Sequence, residues 1–191
     1  MRTFQHQSLT AALGVRRREL VALVGGGGKS GALQLLALEA LGGAAPGGCA
    51  GPGCAGPGGE GGAIGAGGAG SRGFAGEGAA GARMPGFLAT TTTGMYLGQL
   101  QTVGPVVMAP EREHLVQAIG SALAAGGAVA AARDLADNGK VVGVPPEWVD
   151  ELWAAGVADL VVVEADGSRG LSLKVFGRHE PQVPGSTTLV V

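Results

Sequence analysis

"ELVALVGGGGKSGALQLLA" spans Glu19–Ala37 and decides how the chain is read. "ELVALV" (Glu19–Val24) is a short apolar run of the kind found in buried strands. "SGALQLLALEAL" (Ser30–Leu41) has helical apolar spacing and stops at Gly42. Between them lie the consecutive glycines Gly25–Gly28, then Lys29 and Ser30. A glycine-rich turn from strand to helix is what a phosphate loop requires. Without Cβ atoms, backbone N–H groups can turn toward an anion, and the helix start adds its positive dipole end. In such a loop Lys29 reaches the β- and γ-phosphates and the Ser30 hydroxyl binds Mg²⁺. The longer phosphate-loop pattern places glycine six residues before the lysine, where this chain has Leu23. The match is to the shorter form G-x-x-G-K-[ST], Gly25–Ser30, and the alternative is a plain glycine-rich turn.

Glycine is common throughout, at 39 of 191 residues, against a usual share of roughly 7%. About half of these glycines fall between Gly42 and Arg83. That stretch carries almost no large apolar side chains, so it cannot offset the entropy of ordering its backbone. It is expected to be a disordered insertion, 42–83, within a single nucleotide-binding α/β domain, 1–191. Cys49 and Cys54 lie inside it and have no closing ligand set for zinc.

The remaining sequence alternates strands and helices. Strands are expected at Gly86–Thr90, Gly104–Ala109, Ala128–Ala132, Ala158–Asp166 and Ser186–Val191, and helices at Glu111–Gly126 and Pro145–Gly156. This order predicts a mostly parallel sheet covered on both faces, a phosphate-loop NTPase-like three-layer fold. Trp148 and Trp153 are expected to pack, and Arg16–Arg18 to lie on a solvated face. Net charge is -2 and pI about 5.9, which argues against nucleic acid as the main partner. No apolar run approaches the ~20 residues of a spanning helix. The arginines near the N-terminus follow the short apolar stretch instead of preceding it, unlike a secretory signal. A cytoplasmic protein without a membrane partner is expected.

Two further motifs belong with the loop. "ATTTTGMYL" (Ala89–Leu97) places threonines at the end of a strand, where Thr91 and Thr92 could coordinate Mg²⁺ or bond a γ-phosphate. "LVVVEADGSRGLSLK" (Leu160–Lys174) delivers Glu164 and Asp166 at the end of a buried strand. Carboxylates there hold Mg²⁺ or orient a water in phosphate-loop enzymes. Arg169 and Lys174 add positive charge suited to an anionic second substrate. His179 and Glu180, in "RHEPQVP", are further substrate-site candidates. Lys29, Glu164 and Asp166 are the catalytic candidates. Gly25, Gly26, Gly27, Gly28, Lys29, Ser30, Thr91 and Thr92 are the nucleotide-binding set, and Ser30, Glu164 and Asp166 the metal set.

In order, "LVGGGGKS", "TTTTGMYL", "GKVVGVPPEWVDEL" and "VVVEADGSRGLSLK…HEPQVPGSTTLVV" resemble the bacterial YqeC-type family. The resemblance implies an accessory protein of selenium-dependent molybdenum hydroxylases, acting in making or inserting their selenium cofactor. It implies a phosphate-loop α/β fold, ATP and Mg²⁺ as cofactors, and a selenium donor and a molybdenum hydroxylase as partners. The base is open, since no Asn-Lys-x-Asp motif is present. In three respects the chain departs from the family's pattern. The 42–83 segment replaces a short connection, Ser30 stands where threonine is usual, and the family continues past "TTLVV", so a truncated chain is expected. Two other functions remain: a nucleotide-dependent switch or chaperone for a target enzyme, and a Mur-ligase-like ATP-dependent ligase. The ligase needs an acceptor-amine site, and none is visible.

Overall fold

The computed structural model describes residues 8–42, 86–168 and 170–191. The expected insertion beyond Gly42, both cysteines and Arg169 lie outside the described residues. Helix α1 (Leu9–Leu13) is capped by the Ser8 hydroxyl and leads into β1 (Glu19–Leu23). After the glycine loop comes α2 (Lys29–Ala40). Then follow β2 (Phe87–Thr91), β3 (Gly94–Tyr96), α3 (Leu97–Gln101), β4 (Val106–Met108) and α4 (Arg112–Gly126). The chain continues through β5 (Ala128–Ala132), β6 (Asp134–Leu135), β7 (Lys140–Val142) and α5 (Pro146–Ala154). It closes with β8 (Leu160–Glu164) and β9 (Leu189–Val190).

The main sheet has six strands in the order β4-β5-β2-β8-β1-β9, and every pairing in it is parallel. This is the α/β architecture expected from the alternation of elements. Strands β1, β2, β5 and β8 are buried along their whole length, which explains their unbroken apolar runs. Their side chains alternate between two cores. Val21, Leu23, Phe87 and Ala89 pack with Leu33, Leu36 and Ala37 of α2 on one face. Leu20, Leu88 and Val129 pack with Leu115 and Ile119 of α4 and Val149 and Leu152 of α5 on the other. Trp148 and Trp153 lie against that second core as expected, and the Arg18 guanidinium sits 5.0 Å over the Trp153 ring.

A second, antiparallel sheet, β3-β7-β6, was not among the expected elements. Its strands are two or three residues long, too short for an alternating pattern to register. It braces the threonine loop. Val144 N–H donates to Thr91 O at 2.9 Å. A Cβ on Gly143 would lie 2.4 Å from Thr93 O, so only glycine lets these two backbones meet.

Candidate functional site

Register brings three motifs to one level. Leu23 of β1 and Thr91 of β2 both pair with Glu164 of β8, which lies between them. From β1 the chain crosses past β8 to β2, whereas from β8 it crosses past β1 to β9. The two connections leave in opposite directions, so a crevice opens at the carboxyl ends of β1 and β8. Open parallel sheets bind ligands at such a switch point.

The glycine loop fills this crevice. Gly25 and Gly28 both have φ of 96°, a backbone region that only glycine enters without strain. Gly28 is the N-cap of α2, and the first helical bond runs from Ala32 N–H to Gly28 O at 2.9 Å. The backbone N–H groups from Gly26 to Gly31 have no acceptor among the described residues. Gly27 and Gly28 are exposed, at a helix start whose unsatisfied donors suit an anion. Lys29 folds back beneath the loop. Its Nζ donates to Gly25 O at 2.6 Å and to Gly26 O at 2.8 Å, and only 7% of the residue is exposed.

Asp166 ties loop to sheet. It is fully buried. Its Oδ2 accepts from Gly25 N–H at 3.0 Å, and its Oδ1 lies 3.0 Å from Lys29 Nζ. That Oδ1 contact is an ion pair by distance but lacks the alignment of a hydrogen bond, which leaves a buried oxygen incompletely satisfied. Glu164 faces Ser30, whose hydroxyl donates to Glu164 Oε2 at 3.4 Å. Burial pushes the Glu164 carboxyl above its ordinary range. The Lys29 charge and the Ser30 hydrogen bond oppose this, and the Asp166 charge adds to it. Sequence reasoning passed over Gln99, on α3. Its Nε2 donates to Ser30 Oγ at 2.9 Å. "GQLQ" carries no signal that would have singled it out.

The threonines are held by the backbone. Thr91 Oγ1 donates to Glu164 O at 3.0 Å and accepts from Thr93 N–H at 3.1 Å. Thr92 Oγ1 donates to Gln182 O at 2.7 Å. These bonds lock the end of β2 to β8 and to the segment after it. Gln182 N–H in turn donates to Ala165 O at 2.8 Å.

A strap from Gly170 to Phe176 crosses the loop. A Cβ on Gly26 would lie 2.2 Å from Ser172 O, so backbone meets backbone there. Lys174 points inward from the strap with 6% of its side chain exposed. Its Nζ donates to Gly167 O at 2.6 Å, pairs with Glu180 at 2.5 Å and lies 3.5 Å from Asp166 Oδ2. Lys174 and Glu180 therefore join the loop cluster, whereas His179 is exposed. Among the described residues no group of three or more His, Cys, Asp or Glu stands close enough to form a metal site. A cation here would need hydroxyl and ligand oxygens beside a carboxylate, the donor set Mg²⁺ accepts. Among the described residues no helix is long and apolar enough to cross a membrane.

Comparison with known proteins agrees with the motifs that follow α2. The family model described as YqeC protein matches residues 62–191, about two thirds of the chain. The glycine loop lies before that match. A curated relative, "Uncharacterized protein YqeC" of Escherichia coli (strain K12), is 45% identical over 56 residues. The alignment covers 29% of this chain and 22% of the relative, about a fifth of that protein's length. No solved structure matches the chain. By the extent of the family match, the chain belongs to the YqeC family.

Proposed function

We propose that this protein binds ATP with Mg²⁺ through the Gly25–Ser30 loop. In this reading it hydrolyses ATP as an accessory protein in making or inserting the selenium cofactor of molybdenum hydroxylases. One observation carries the nucleotide part: backbone N–H groups from Gly26 to Gly31 have no acceptor among the described residues, beside a buried lysine at a parallel-sheet switch point. Such donors suit a polyphosphate. The fold is read accordingly as phosphate-loop NTPase-like. The selenium part and the choice of adenine rest on the family resemblance.

The residues divide the work. Lys29 has its ammonium between the loop and Asp166 and would meet phosphate oxygens. Asp166 accepts from Gly25 N–H and pairs with both lysines, so it positions Lys29 and is less free to take a cation. Ser30 and Glu164 face each other and fit the metal set better. Bound Mg²⁺ would neutralise phosphate charge and act as a Lewis acid. Held beside the cation as a carboxylate, Glu164 would also help orient an attacking water. Lys174, beside Asp166, would meet an anionic second substrate.

A switch or chaperone is a second reading, favoured by the strap. Leu173 and Val175 are 88% and 92% exposed, and both flank the inward Lys174 beside the loop. Apolar side chains displayed there suit a surface that reports nucleotide state to a partner.

Calorimetric titration of MgATP into the wild type and Lys29→Ala tests the cradle. Micromolar binding is expected for the wild type, with loss of at least about tenfold in the variant, equivalent to ~1.4 kcal/mol. Absence of binding by a cooperatively unfolding wild-type chain defeats the nucleotide reading. Where binding holds, steady-state turnover with and without selenophosphate separates the two readings. A switch binds tightly and turns over slowly until a target enzyme is added.

A further inference from the structure

Ser30 has one hydrogen and two lone pairs on its hydroxyl, and its surroundings assign two of the three. Its hydrogen goes to Glu164 Oε2 at 3.4 Å. One lone pair receives the Gln99 Nε2–H at 2.9 Å. The amide of Gln99 is itself fixed, because its Oε1 accepts from Tyr96 N–H at 3.2 Å. Turning the amide over would set its NH₂ group against the Tyr96 N–H, donor against donor, and would leave an oxygen facing Ser30. The hydrogen-bond pattern therefore fixes which end meets the hydroxyl. A directed relay results: Tyr96 N–H to Gln99, Gln99 to Ser30, Ser30 to Glu164. Among the described residues one lone pair of Ser30 Oγ is left without a partner, at the foot of the glycine loop.

We propose that Gln99 is a positioning residue for the metal half of the site. It holds the Ser30 hydroxyl with its hydrogen turned to Glu164 and its remaining lone pair available to a divalent cation. The proposal rests on the nucleotide reading above. Gln99 touches neither nucleotide nor metal in this account; it acts through Ser30. It comes from α3, which follows directly on β3, so the small antiparallel sheet also serves the metal site. Without Gln99 the hydroxyl can rotate, and its hydrogen can compete for the direction the cation needs. The loop N–H groups, which hold phosphate without metal, are untouched by the change.

The test is a binding cycle on the full chain. ATP affinity is measured by calorimetry with Mg²⁺ and with EDTA, for the wild type, Gln99→Ala, Ser30→Ala and the double variant. Thermal melts run alongside. The Mg²⁺-dependent gain in ATP affinity is expected to fall about tenfold in Gln99→Ala, with metal-free affinity unchanged. Ser30→Ala is expected to lose the same gain, and adding Gln99→Ala to it to cost nothing more, because residues acting in series are non-additive. Equal Mg²⁺-dependent gains in the wild type and Gln99→Ala overturn the proposal and leave nucleotide binding standing. Parallel loss of metal-free and Mg²⁺-dependent affinity in Gln99→Ala overturns it too, since that is what a merely structural role produces. A wild type that binds no ATP under either condition overturns both readings.

Discussion

Gly26 and Gly27 are equivalent in the motif and very different in the fold. Neither has a φ in the left-handed region, so alanine is acceptable to the backbone at both. At Gly27 a new Cβ would meet Leu171 O at 3.8 Å and Ser172 Cα at 4.0 Å, ordinary contact. At Gly26 it would meet Ser172 O at 2.2 Å and Ser172 C at 2.7 Å, where contact normally begins at 3.4 Å. The strap must therefore retreat by roughly 1 Å, taking Lys174 from its partners, or the loop must deform. Overpacking of this kind costs about 1–3 kcal/mol. Losing glycine from the unfolded chain returns about 0.4–1 kcal/mol at either site. Gly27→Ala should thus be neutral or slightly stabilising, and Gly26→Ala should lose about 1–2 kcal/mol. With a urea slope of ~2 kcal/mol/M, the Gly26→Ala midpoint falls by about 0.5–1 M. Limited chymotrypsin digestion adds a local readout, with faster cleavage after Leu173 and Phe176 in Gly26→Ala alone. Equal midpoints and equal cleavage rates for the two variants would refute the claim that the strap is seated on the loop.

That contrast also marks what a sequence can and cannot reveal. The loop was legible because its neighbours are: β1 is apolar throughout, α2 has helical spacing, and glycines between them have few other uses. Glu164 and Asp166 were legible as acids ending a buried strand. Their separate duties were not. Asp166 is tied to Gly25 across 141 positions of sequence, and nothing local says that one acid pairs with lysine while the other faces serine. The contact that excludes a side chain is at Gly26, against the Ser172 backbone, and nothing in a run of four glycines marks that one out. Thr91 and Thr92 drew attention as hydroxyls beside a phosphate loop. Here those hydroxyls bond to the backbone of Glu164 and Gln182, partners that only tertiary pairing supplies. Gln99 stayed unnoticed because a glutamine on a five-residue helix has no pattern to stand out from.

Two further perturbations follow from side chains around the sheet's end. Asp150 accepts from Gly185 N–H at 3.1 Å and Ser186 N–H at 2.7 Å, anchoring the turn into β9. Asp150→Ala should cost about 1–2 kcal/mol in urea unfolding, given hydrogen bonds to a charged group at a partly exposed site; an unchanged midpoint would mean that β9 is held without it. Glu164 makes the opposite kind of prediction. Its folded pKa is raised, chiefly by burial. Its contribution to stability is therefore fully present below the ordinary glutamate range. It is lost as pH climbs from that range through the raised folded value, because the folded state must give up a proton it holds more tightly than the unfolded chain does. Glu164→Gln keeps the acceptor oxygen for Ser30 and removes the ionisation. Relative to wild type, the variant should gain stability between acid and mildly alkaline pH, with the gain reaching a plateau above the folded pKa. Urea unfolding of both proteins from pH 4 to pH 8 follows the difference. A variant that loses stability relative to wild type as pH rises would show that the Lys29 charge outweighs burial, and that Glu164 stands ionised in the folded protein.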